Sequence, residues 1–152
     1  MVRWGVPNQN TYSCIYLPTR LPIVVIVYSL ANFLQGVRRG APKPLGLQNG
    51  KIPNRAITAS SSYNRYLAPW LARLKRAKQG RYLGGWAAKV NNRQQWLQVR
   101  FKRAKKVVAV AIQGRQDFNQ WVKLFSLSYS VDGVYFAKYK KNGRTKVCKS
   151  YV

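Results

Sequence analysis

The side chains that could carry a proton, hold a metal or attack a carbonyl are nearly absent from this chain. Asp117 and Asp132 are its two acids, there is no histidine, and the thiols are Cys14 and Cys148. General acid–base catalysis is done mainly by His, Glu and Asp, so an enzyme is the least expected class. Calcium sites want several carboxylates, and the two cysteines fit no zinc spacing. No cofactor and no metal is therefore expected, and the cysteines read as free thiols rather than a bridge. What the chain has in abundance is positive charge: 28 lysines and arginines, for a formal net charge of +26. Such a surface attracts arrays of phosphate, sulfate or carboxylate, and its self-repulsion opposes the compact state. Net charge alone does not separate nucleic acid, anionic lipid and acidic glycan.

These residues must be held by something, and the composition favours a folded domain. Hydrophobic residues make up 47% and aromatics 13% of 152 residues, far more than a disordered basic tail carries. Residues 1–43 differ from the rest. Leu21–Leu34 is an apolar run without charge, too short for a comfortable transmembrane helix. Its length fits the apolar region of a secretory leader, with Ser29-Leu30-Ala31 as a cleavage candidate. A signal anchor or a buried strand are the alternatives, and Gln35–Pro44 reads as linker. The expected organisation is a leader-like segment plus linker over 1–43 and a domain over 44–152.

From Pro44 onward the pattern is that of strands and turns. In Gln95–Lys102, Leu97, Val99 and Phe101 share one face, with Gln98 and Arg100 on the other. Val107–Ile112 is a continuous apolar run, as in a strand buried on both sides. Phe125, Leu127, Tyr129 and Val131 alternate with three serines, which predicts a half-buried strand. Asp132-Gly133 then predicts a two-residue hairpin turn leading into a strand over Val134–Lys140, and Asn142-Gly143 marks a second turn. Leu71–Lys78 is the one weak helical candidate. Together these predict an all-β antiparallel sandwich or barrel.

Several stretches go further. Pro44–Pro53 (PLGLQNGKIP), Ile57–Asn64 (ITASSSYN), Ala72–Leu74 (ARL), Gln95–Val99 (QWLQV) and Val110–Gly133 (VAIQGRQDFNQWVKLFSLSYSVDG) occur in order. The chain resembles the discoidin family, the coagulation factor V/VIII C-terminal type domain, from Pro44 to about Val147. The resemblance implies a jelly-roll sandwich in an extracellular, non-enzymatic adhesion module, secreted or at the cell surface. Its relatives bind phosphatidylserine membranes, glycans, collagen or receptor proteins through loops at one end. Three departures stand out. Ala41 takes the place of a usual cysteine, and the last strands of the family pattern are missing, which should leave the sheet open. Arg100-Phe101-Lys102 replaces the usual Asp-Leu-Gly.

Carried over by position, the binding loops are Arg65–Trp70, Gln79–Trp86 and Gly114–Gln120. The implied ligand-binding residues are Arg65, Tyr66, Leu67 and Trp70, then Arg81, Tyr82 and Leu83, then Arg115, Asp117 and Phe118. Each loop pairs an apolar or aromatic tip with a cation, which suits a membrane interface. Asp117 has a second reading, ordering its own loop, and Trp86, Trp96 and Trp121 read as packing residues. The expected partner is an anionic membrane surface or an acidic glycan, with a cell-surface protein as a further candidate. Non-specific nucleic-acid binding follows from charge. The rival functions are a nucleic-acid-binding protein, because basic clusters interleave with aromatics as in single-strand binders, and a recharged or divergent discoidin scaffold without a specific ligand.

Overall fold

Alternating apolar residues and short turns give a structure made mainly of strands. The computed structural model describes residues 12–17 and 24–29, as strand backbone, and 43–150 in full. The strands are β1 (Tyr12–Leu17), β2 (Val24–Ser29), β3 (Lys43–Pro44), β4 (Ile57–Ala59), β5 (Gln95–Arg100), β6 (Val107–Gln113) and β7 (Leu124–Ser130). Four short pieces follow: β8 (Ala137–Lys138), β9 (Lys140–Lys141), β10 (Arg144–Thr145) and β11 (Val147–Lys149). One sheet runs in the order β11-β7-β1-β5-β4, with β8 also on β7, and the second in the order β3-β2-β6. All these pairings are antiparallel.

The two sheets close on a shared apolar layer. Ile57, Leu97, Val99, Phe125 and Leu127 of the first sheet cluster with Val107 of the second, and Val110 and Ile112 pack against them. Leu97, Val99 and Phe101 are buried as their alternation predicts, while Arg100 and Lys102 stay exposed. The cations that replace the family's Asp and Gly therefore cost little, because both face solvent. Val107–Ile112 is a strand, but it is fully buried only at Val107 and Val108. In β7, Phe125 and Leu127 are buried as expected; Ser128 and Ser130 are buried as well.

Two local expectations give way. No two-residue turn forms at Asp132-Gly133, and residues 131–136 make a longer connection between β7 and β8. Only Gly133 there takes a positive φ, whereas a type I′ turn needs two. Asn142 and Gly143 do have φ of 52° and 77°, so the tight turn sits between β9 and β10. Pro69–Leu71 is a single 3₁₀ turn and the rest of Leu71–Lys78 is irregular. The chain is pulled out of helical geometry there by Arg73, which is buried, and by Lys75, which has φ of 54°.

Arg73 is the main polar fastener of this half of the domain. Its guanidinium donates to the carbonyls of Leu47 (2.5 Å), Ile52 (2.8 Å) and Trp70 (3.1 Å) and to Asn54 Oδ1 (2.7 Å). Burial, and then the neighbouring Arg76 charge, lower its pKa. Four acceptors nonetheless satisfy a cation that has no carboxylate beside it.

Each of the two sheets includes a strand from before residue 43. β1 pairs with β5 from Tyr12↔Arg100 to Leu17↔Gln95 and with β7 from Tyr12↔Ser130 to Tyr16↔Ser126. β1 thus lies between β5 and β7 and bonds to both. β2 pairs with β6 from Val24↔Gln113 to Ser29↔Val107. Leu30 and Ala31 of the cleavage candidate, and most of the linker, lie outside the described residues.

Candidate functional site

Three connections, all lacking regular strand, gather where β7 begins, and backbone polarity ties them together. The first opens at Asn64, whose side chain accepts from the Tyr66 N–H (2.9 Å) and starts a 3₁₀ turn over Arg65–Leu67. Its carbonyls then take donors from the second connection: Leu83 N–H to Tyr66 C=O (3.0 Å) and Ala87 N–H to Leu67 C=O (3.3 Å). The third joins through Asp117, whose Oδ1 accepts from the Gly84 N–H at 2.9 Å. A Cβ added at Gly84 would meet that oxygen at 3.0 Å and the Arg76 carbonyl at 3.2 Å, so a larger residue would push the loops apart by a few tenths of an ångström. The Lys78 N–H also donates to Gln116 Oε1.

Asp117 is the electrostatic centre of this arrangement. Arg115 grips it in a bidentate pair, Nε to Oδ1 and Nη2 to Oδ2, both at 2.7 Å. That hydrogen-bonded pairing with Arg115, helped by the Gly84 amide, lowers the carboxyl from its usual 3.8 to about 2. Arg115 Nη1 also donates to Gln120 Oε1. Arg115 and Asp117, both named from the resemblance, pair with each other and brace the third loop. The ordering role of Asp117 is the one the structure shows.

Above the brace stands an aromatic cluster. Tyr82 meets Trp70 edge-on at 5.1 Å and Tyr66 at 6.2 Å between ring centroids. The Arg65 guanidinium lies 4.9 Å from the centre of the Tyr66 ring and donates to its hydroxyl. Arg76 sits 5.1 Å over Trp70, and Arg115 sits 5.4 Å over Phe118. Phe118 is 60% exposed and Tyr82 43% exposed, so apolar edges reach solvent beside cations. Arg65 and Arg81 are exposed, and Tyr66, Trp70 and Leu83 are half-buried.

Of the ten residues named from the resemblance, Leu67 is buried, at 4% exposed, and its carbonyl accepts from the Ala87 N–H. Trp86 is a packing residue as expected, 1% exposed with its indole N–H on the Ser61 carbonyl. Arg76 is the residue missed: its Nε is buried without a hydrogen-bond partner among the described residues, and its guanidinium is held by the Trp70 face. A cation six residues after a tryptophan is no sequence signal; only the fold brings them together. Among the described residues no group of three or more Cys, Asp, Glu or His could hold a metal, and no helix is long and apolar enough to cross a membrane.

Comparison with known proteins decides the family. The F5/8 type C domain family matches residues 56–151. This chain belongs to that family. Lactadherin of Rattus norvegicus is 38% identical over 113 residues, covering 71% of this chain and 26% of lactadherin. Coagulation factor V of Mus musculus is 42% identical over 115 residues, covering 71% of this chain and 5% of factor V. Coagulation factor V of Homo sapiens is 40% identical over 114 residues, with 70% and 5% covered. The chain thus spans about a quarter of lactadherin and a small fraction of factor V. No solved structure matches it. As an F5/8 type C domain it is a non-enzymatic binding module, in keeping with a site built of aromatics and cations.

Proposed function

We propose that this domain docks on anionic phospholipid surfaces from outside the cell, through the loop end formed by residues 65–70, 79–86 and 114–120. The observation that carries this is the pair of exposed rings, Tyr82 and Phe118, standing beside cations on a scaffold tied by Asp117. Aromatic rings favour the headgroup level of a bilayer because one end is apolar and the other tolerates water. Arg65 and Arg81 lie on the same loops, and each cation near an anionic leaflet contributes about 1 kcal/mol. Trp70 and Tyr66 contact Tyr82 edge-on, so its ring is already ordered before it meets the interface. Leu83 lies half-buried behind it and adds apolar contact.

Vesicles of phosphatidylserine–phosphatidylcholine and of phosphatidylcholine alone test this over a salt series. Association should require phosphatidylserine and weaken as salt rises from about 0.1 M to about 0.5 M, while leaving a measurable part that salt does not remove. Complete loss at the higher salt would mean that charge alone holds the protein.

A further inference from the structure

The two acids of the chain stand at opposite ends of one strand. Asp117 lies in the connection that enters β7, and Asp132 lies in residues 131–136, which leave it. β7 is seven residues long, so these ends are about 20 Å apart. Each acid orders a loop that exposes apolar side chains, and Asp117 does so beside Phe118. At the other end, Asp132 Oδ1 accepts from the amides of Val134 (2.8 Å) and Tyr135 (3.0 Å) and from Ser130 Oγ (2.8 Å). Ser130 is buried, and its Oγ accepts in turn from the Gly133 N–H (2.8 Å). Three successive amides are thus satisfied within the connection, and the side chains of Val134 and Tyr135 stay outside. At 71% and 81% they are the most exposed large apolar residues among those described.

Cations stand at the same end. Tyr12 is the cross-strand partner of both Ser130 and Arg100, so the ends of β7 and β5 are one strand apart, about 10 Å. Arg100 is exposed, as are Lys102 and Arg103 in the connection that follows it. We propose, on the reading that the loop end docks on phospholipid, that the Val134–Tyr135 tip enters a second anionic bilayer, so that one domain tethers two membranes. Two side chains offer far less area than the roughly 800 Å² per partner of a stable protein interface. A bilayer has no fixed shape to match and accepts a small projecting tip, while the cations meet its anionic headgroups. A second copy of this chain would instead bring a further +26 against the same cations. The contact is weaker than the loop end, whose tip is backed by Trp70 and Tyr66. Many domains on one membrane act together on the next.

The test separates the two ends. Phosphatidylserine–phosphatidylcholine vesicles fixed to a surface are loaded with the full chain at about 0.5 M salt, where long-range charge is screened. Fluorescent vesicles of the same composition are then added: loading reads the loop end, and capture reads the opposite end. Val134→Ser/Tyr135→Ser leaves Asp132 and the net charge unchanged, and should load and melt as wild type does. It should capture fewer vesicles by about tenfold or more. Capture equal to wild type would overturn the second contact and leave charge as the tether. Wild type that loads but captures nothing would overturn the tether alone; wild type that does not load would overturn the loop-end docking and the tether with it. Capture of phosphatidylcholine vesicles as strong as that of phosphatidylserine vesicles would overturn the anionic requirement. Sedimentation should show a monomer, and a dimer that the variant dissociates would overturn the bilayer in favour of a second copy.

Discussion

The loop end and the β9–β10 hairpin are both cationic, yet the chain builds them by opposite means. At the loop end three cations have internal roles: Arg115 grips Asp117, Arg76 covers Trp70 and Arg65 reaches the Tyr66 hydroxyl. At the hairpin the cations face solvent, and two of them face each other across the strands. The first surface keeps its shape with nothing bound; the second sets like charges against each other, which opposes its formation. Net charge treats them alike, so it tells little about either.

The sharpest way to break this contrast is to remove the fastener beneath the loop end. Arg73→Ala strands three buried carbonyls and leaves a hole, and should cost about 3 kcal/mol or more. The melting temperature should fall by on the order of 10 °C, and phosphatidylserine binding that survives salt should be lost with it. An unchanged melting temperature would show that the carbonyl cage contributes nothing. A smaller effect is expected at the brace. Asp117→Ala leaves Arg115 and the Gly84 amide without their partner and should cost about 1–2 kcal/mol after allowing for solvent screening.

The same carboxylate sets a pH dependence. Its folded value, about 2, lies below the ordinary 3.8. The contribution is therefore fully present above the ordinary value and is lost as pH falls from about 4 towards 2. Wild type and Asp117→Asn should converge in stability across that window, and parallel acid-denaturation curves would contradict the brace. Gly143→Ala should have the least effect. Its Cβ would meet nothing within 4 Å, so the cost is the φ of +77° alone, about 1 kcal/mol. That loss should shrink in added sulfate if anions reinforce the hairpin; equal losses with and without sulfate would leave the hairpin indifferent to them.

How much of this was legible in the sequence depends on the range of the interaction concerned. The alternation Leu97, Val99, Phe101 is local, and it gives both the strand and its buried face. Asn-Gly and Asp-Gly are equally local, yet only Asn142-Gly143 makes the tight turn. At Asp132 the side chain instead captures the amides of Val134 and Tyr135 and widens the connection. The three loops were placed by family resemblance, and the structure does bring them together. Which of their residues point outward was not legible, because the burial of Leu67 depends on packing against the rest of the domain. Arg73 belongs to the Ala72–Leu74 stretch, but its role was not legible because Leu47, Ile52 and Asn54 lie far back along the chain. The apolar run at Leu21–Leu34 allowed leader and strand alike, because hydropathy carries no record of β6, with which Val24–Ser29 pairs.

The central claim is that exposed rings, rather than charge alone, hold the loop end on a membrane. Its most direct test is vesicle association of the Tyr82→Ala/Phe118→Ala variant at about 0.5 M salt, where surface charge is largely screened. Burying two aromatic edges is worth about 3 kcal/mol, so the variant should bind phosphatidylserine vesicles on the order of 100-fold more weakly than wild type while retaining its melting temperature. Binding equal to wild type at that salt would contradict the account.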